Sequence, residues 1–324
     1  MRFPEVVAHA AIVRGCRRVR RMQFSVWPSY DRSWSETLAL ATWAEGAGFD
    51  SFWYADHLMP NRDDGTPDPG DAHECWSVLA GIGALVPRLR LVSMVSPVTI
   101  HHPVLLAKRA TTVDHISGGR AVLGLGAGWQ VNEHSAYGFD LPDPAPRVSR
   151  FAEAIEIVHR LFREDAVDFH GHTYRLTDAP LSPKPVNGTL PILVGTGSPR
   201  MLRLTARWAE EWNTWGDPDE VARRTERFTA ACESVGREPG ELRRSAQAMV
   251  FFTPTQAARD AVQAHVVPDR SLVGGAQELV DQLARYEELG VHEFAIADFT
   301  LGESPEERRD TYAALHADVL SAFR

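Results

Sequence analysis

Lysine is almost missing from this chain: of 34 basic residues only Lys108 and Lys184 are lysines, and the rest are arginines, a bias that GC-rich codons produce. Against 43 acidic residues they leave a formal charge of -9. The arginines alternate with acids on what read as helix faces, so no basic field exists for a nucleic-acid backbone. Cysteine is scarce too. Cys16, Cys75 and Cys232 are odd in number and far apart, which excludes a disulfide framework or a thiolate metal cluster and fits a reducing cytoplasm. No apolar run approaches the roughly 20 residues that span a bilayer, and the apolar stretch 6–13 precedes its basic cluster, the reverse of a secretory signal. The 13 histidines form no His-x-His pair in the first strand, and adjacent His101 and His102 cannot both point into one site from a strand, which argues against metal-dependent hydrolysis. A Gly-x-Ser-x-Gly elbow is absent, and with it the signal for serine hydrolysis.

With 324 residues and 44% hydrophobic content the chain can bury one large core. From Met22 onward it repeats one phrase: a short apolar run, a Gly- or Pro-rich break, then an amphipathic stretch. Strands are expected at 22–27, 51–54, 91–95, 121–126, 192–195, 211–214, 246–252 and 292–297. Eight strands alternating with helices predict a (β/α)8 TIM barrel with inserted segments, in the α/β class. The competing doubly wound sheet needs a glycine-rich turn directly after the first strand, where this chain has Trp27-Pro28-Ser29-Tyr30. Ser35 is expected to cap the first helix, Pro103 to open the run to Ile116, Ser149 to precede a helix over 151–162, and Pro199 to open one over 201–209. Two stretches break the rhythm: a polar, turn-rich loop over 61–72 and, over 167–185, a hairpin followed by a Pro-rich segment. Residues 22–324 are expected to be one domain. Residues 1–21, ending in Arg17, Arg18, Arg20 and Arg21, read as a basic extension, poorly ordered and without period.

Chemistry in a barrel is sought where its strands end. Asp56-His57 follows strand two and suits a metal half-site, a proton relay, or a turn in which Asp56 only caps backbone donors. Ser93, Met94 and Ser96 end strand three, mixing hydroxyls with apolar groups as a planar aromatic ligand requires, although a core strand ending in a Ser-Pro turn fits equally. Gly124, Gly126 and Gly128, ahead of Trp129, Asn132 and Glu133, let something approach the backbone closely. Gly195, Thr196, Gly197 and Ser198 lead into a helix at Pro199, where free N–H groups suit a phosphate. An ordinary strand-to-helix turn is the alternative. The two glycines permit backbone conformations closed to other residues.

These segments, with Ala44-Glu45-Gly46-Ala47-Gly48-Phe49-Asp50, the block from Lys108 through Asp114-His115-Ile116-Ser117-Gly118-Gly119-Arg120, Leu125-Gly126-Ala127-Gly128-Trp129, and Pro183-Lys184-Pro185, carry a family resemblance. The chain resembles the luciferase-like monooxygenases, and within them the F420-dependent oxidoreductases. The resemblance implies coenzyme F420, with FMN the alternative cofactor, and a homodimer. It implies that Asp56 and Trp129 belong to the cofactor site and that His57 lies against the ring. Ser93, Met94 and Ser96 would frame that ring, with a non-proline cis peptide at Ser93-Met94. Gly126, Gly128 and Asn132 would lie along the cofactor, and Gly195, Thr196, Gly197 and Ser198 would bind its phosphate. Trp129 stands where F420-dependent sugar-phosphate dehydrogenases carry a catalytic glutamate. His57 and Glu74 are the candidate proton donors or acceptors for hydride transfer to or from a small organic substrate; Glu74 alternatively starts the helix holding Trp76. The implied activities are F420-dependent oxidoreduction, FMN-dependent monooxygenation, or cofactor binding without catalysis.

Overall fold

The computed structural model describes residues 21–324, so the expected basic extension lies outside the described residues except for Arg21. Runs rich in β-branched and aromatic residues become eight parallel strands: β1 (Gln23–Trp27), β2 (Ser51–Tyr54), β3 (Arg90–Ser93), β4 (Ala121–Gly126), β5 (Ile192–Gly195), β6 (Glu211–Trp215), β7 (Arg243–Phe252) and β8 (Glu293–Ala297). Each pairs with the next, and β8 pairs back on β1 in the register Gln23 to Glu293 through Trp27 to Ala297, which closes a (β/α)8 TIM barrel. A two-residue strand, Ser96–Pro97, resumes the β3 path after a bulge and pairs with Leu125 and Gly126.

The helices are α1 (Trp34–Ala47), α2 (Cys75–Leu85), α3 (Pro103–Ser117), α4 (Val131–Tyr137), α5 (Pro144–Arg163), α6 (Pro199–Trp208), α7 (Pro218–Ser234), α8 (Gln256–Val262), α9 (Ala276–Glu288) and α10 (Pro305–Asp318). Two starts differ from expectation. Ser33, not Ser35, caps α1, because Ser33 and Glu36 complete a reciprocal capping box. Helix α5 begins at Pro144 rather than near Phe151, since proline fits the first turn after Asp143 and Ser149 bonds inside the helix to the Ala145 carbonyl. None of the helices among the described residues is long and apolar enough to cross a membrane.

The barrel interior is filled by Trp53, Val92, Met94, Val122, Leu193 and Ala295, while a larger cluster joins the outer strand faces to the helices. The 61–72 segment is a loop without helix or strand, and the second insertion is an antiparallel hairpin of Ala166–His170 and Arg175–Pro180. Strand β7 is ten residues long. Its first half pairs with β6 and β8, and its outer half leaves the barrel to pair with a further strand, Ser271–Gly274, that the sequence did not announce.

Charge closes the floor at the strand starts. Glu293, fully buried, accepts from the Ser25 hydroxyl, Trp53 Nε1 at 3.0 Å, Arg90 Nη1 at 2.9 Å and Arg243 Nη2 at 2.7 Å, and Glu211 pairs with the same two arginines.

Candidate functional site

A cavity of about 590 Å³ opens at the C-terminal ends of the strands. A smaller one of about 370 Å³ lies at the opposite end, against Met22, Phe24 and Arg243. Barrel chemistry belongs to the first, where every strand delivers a loop.

After β2, His57 lines this cavity with its Nδ1 3.0 Å from Glu133 Oε1. The other Glu133 oxygen accepts from Leu58 N at 2.7 Å, so this buried carboxylate grips both the ring and the backbone beside it. A carboxylate only accepts, so in the neutral imidazole Nδ1 carries the proton. Nε2 is then left as a lone pair, with no partner among the described residues. Trp129 meets the His57 ring edge-on at 5.4 Å and Tyr30 tilts against it at 6.0 Å. Sequence reasoning placed Glu133 in the motif but gave it no role. Its spacing from His57 spans 76 residues, so only the folded barrel joins them.

Asp56 is buried behind His57. Burial raises its carboxyl, but His101, Ser96 and His57 outweigh that and hold it below its ordinary value. His101 Nε2 lies 3.0 Å from Asp56, and His101 Nδ1 faces Arg109 Nη1 at 3.0 Å. The Ser96 hydroxyl donates to Asp56 and accepts from Trp76 Nε1, and the Ser93 hydroxyl is spent on Gly124, so both serines support the wall from behind. Glu74 does not line the cavity: it caps α2, accepting from Ser77 N at 2.6 Å.

The bulge between Ser93 and Ser96 presents Met94 and Val95 to the cavity, and the non-proline cis peptide joins Met94 to Val95, one residue later than expected. The β4 glycines make room for this bulge. A Cβ on Gly124 would meet the Ser93 carbonyl oxygen at 1.8 Å, and one on Gly126 would meet the Val95 side chain at 2.5 Å. What approaches those glycines is the chain itself. Gly128, at φ +89°, does line the cavity, with Thr99 packed beneath it. Asn132 does not, since it donates to the Pro60 carbonyl at 2.8 Å. Gln130, a fully buried residue behind the cavity wall, donates to Met59, and its Oε1 has no partner among the described residues.

Gly195, Thr196 and Gly197 line the far side, and Ser198 caps α6 without a side-chain bond. Neither glycine uses the positive φ that glycine permits; they keep the wall clear of Met94 and Arg224, each 3.3 Å from a notional Cβ. Arg224, from α7 and already paired through Nε with Glu220 at 2.5 Å, and Arg270, ahead of the Ser271–Gly274 strand, bring guanidinium groups to this side. Neither was foreseen, because they lie on elements remote from any strand-end motif. Thr214 Oγ1 accepts from Arg224 at 3.2 Å.

A family model described as luciferase-like monooxygenase matches residues 21–268. An F420-dependent glucose-6-phosphate dehydrogenase of Nakamurella multipartita is 34% identical over 181 residues, 56% of this chain and 52% of that protein. An F420-dependent hydroxymycolic acid dehydrogenase of Mycobacterium tuberculosis is 28% identical over 225 residues, 69% of this chain and 61% of its own. The chain spans about half the length of the curated relatives it matches. Among solved structures, an F420-dependent secondary alcohol dehydrogenase in complex with an F420-acetone adduct superposes with a TM-score of 0.80 and 18% identity, covering 94% of this chain and 99% of the other. A coenzyme F420-dependent tetrahydromethanopterin reductase from Methanopyrus kandleri gives 0.76 and 17% identity, covering 94% and 100%. These last two likenesses are of fold.

Proposed function

This chain belongs to the luciferase-like monooxygenase family, and from that premise we propose that it is an F420-dependent oxidoreductase interconverting a small organic alcohol and its carbonyl form. The observation that carries this reading is the His57–Glu133 pair with its free Nε2 on the cavity wall. Deazaflavin, when bound, takes up or gives back a hydride at its ring carbon.

The cavity suits such a group. Its volume lies within the range for cofactor sites, Met94 and Val95 offer an apolar wall, and just behind that wall the buried Gln130 keeps an unpaired Oε1 acceptor that the polar edge of a flavin-type ring would satisfy on closer approach. Arg224, Arg270 and the backbone of Gly195, Thr196, Gly197 and Ser198 would hold its phosphate and acidic tail. His57 Nε2 takes the hydroxyl proton of an alcohol as its C–H bond gives up the hydride, and returns it in reduction of the carbonyl, so the charges balance. Glu133 fixes the tautomer and steadies the imidazolium that forms. Asp56, Ser96 and Trp129 complete the walls around that ring. The same reading takes residues 22–324 as one domain of a cytoplasmic homodimer. Exposed Leu85, Leu105 and Ile116 on α2 and α3 support the dimer, and the free thiols of Cys75 and Cys232 support the compartment.

Titrating the protein with F420 and with FMN, followed by ring fluorescence, tests the cofactor. Saturable F420 binding is expected. FMN bound tightly with F420 excluded would overturn the proposal in favour of flavin chemistry.

A further inference from the structure

The two sides of the cavity differ in character. Its arginines, Arg224 and Arg270, both stand by β6 and its neighbours, and no lysine lines it. The side holding His57 is aromatic. Trp129, 56% exposed, and Tyr30 flank the imidazole, and Trp27 packs at 5.8 Å against Trp215, which ends β6 and marks where the aromatic wall meets the arginines. This wall continues outward. Phe299, 46% exposed, meets Trp27 at 5.9 Å and forms one side of an adjoining recess of about 390 Å³ that also holds Met249, Phe251 and Val262. The ionisable groups of that recess are His265 and Glu303, neither a permanent cation.

We infer that the substrate is an uncharged, apolar alcohol or ketone whose body packs on Trp27, Trp129 and Trp215 and whose tail reaches past Phe299 into the recess, and that sugar phosphates are not substrates. The inference rests on the proposed cofactor reading in one respect: F420 brings its own phosphate and carboxylates, which would occupy Arg224 and Arg270. A substrate phosphate would then sit against indole faces and Glu133 without a counter-charge, and burying an unpaired anion is strongly unfavourable. Apolar surface placed on the aromatic wall is favourable in proportion to its area.

The test is calorimetric binding of 2-butanol, 2-hexanol, 2-octanol and glucose 6-phosphate, on cofactor-free protein and on protein loaded with F420. Affinity of the alcohols is expected to rise roughly 3- to 4-fold per added methylene, with glucose 6-phosphate showing no saturable binding to the loaded protein. In Phe299→Ala the advantage of 2-octanol over 2-butanol should shrink roughly tenfold, because 2-octanol loses far more affinity than 2-butanol. Saturable binding of glucose 6-phosphate to the loaded protein, or affinities independent of chain length, overturns the inference. Failure of F420 to bind in the same samples strikes the cofactor reading instead, while the chain-length series in cofactor-free protein still decides the apolar tail.

Discussion

Replacing Glu293 with glutamine isolates the charge at the barrel floor. Burial pushes this carboxyl up, but Arg90 and Arg243, with the Ser25 and Ser51 hydroxyls, outweigh it and bring it from an ordinary 4.5 down to about 2. That depression is equivalent to roughly 3 kcal/mol of stability. Breaking a buried ion pair by removing one partner costs about 3–5 kcal/mol, the same order. The sign follows from the direction: a folded-state value below the unfolded one gives stability that is complete above about pH 4.5 and is lost as pH falls toward about 2. Glu211 works the other way. Its burial, with the Glu293 charge beside it, outweighs Arg90 and Arg243 and raises its carboxyl, so it opposes folding at neutral pH and relents in acid. Urea unfolding of both proteins at about pH 7 and again near pH 3 measures the effect. Glu293→Gln should be less stable by roughly 3 kcal/mol at neutral pH, with the gap narrowing in acid. A variant as stable as the parent at neutral pH, or a gap that persists undiminished near pH 3, would refute the reasoning.

Three further outcomes are expected. His57→Ala should lower kcat by about 10²- to 10⁴-fold on any turned-over alcohol while F420 affinity changes little; unchanged turnover in stopped-flow assays would remove the proton-transfer role. Gly197→Val should crowd Arg224 and weaken F420 more than a dephosphorylated analogue, and equal losses for both would make the Gly195 to Ser198 loop a mere turn. Gly124→Ala drives a methyl into the Ser93 carbonyl and should cost at least about 1–3 kcal/mol in thermal unfolding, whereas a stable variant would show that the β3 bulge can yield.

The barrel was legible because each strand core is an apolar run between breakers, as in Phe52-Trp53-Tyr54 and Ile192-Leu193-Val194. Its edges were not. Strand β7 begins at Arg243, three residues before the expected start, because Arg243, Arg244 and Ser245 carry floor and edge polarity that reads as loop. The strand-end glycines were found, but their reason was not: alternation marks close approach without saying what approaches, and at Gly124 and Gly126 it is the β3 bulge. His57 stood out as a histidine at a strand end. Its partner Glu133, and the arginines at 224 and 270, depend on barrel closure, which no local pattern encodes.

The departure of β7 from the barrel has a consequence for how this site can change over time. Arg270 sits where main-chain bonds hold it and its predecessor, Met249 N to the Arg270 carbonyl at 2.8 Å and Asp217 N to the Asp269 carbonyl at 2.9 Å. Such anchors are indifferent to side-chain identity. A substitution at residue 270 would therefore change the charge facing the cavity while its Cα stays in place, so the hold on an acidic ligand is adjustable by a single mutation that leaves the scaffold untouched.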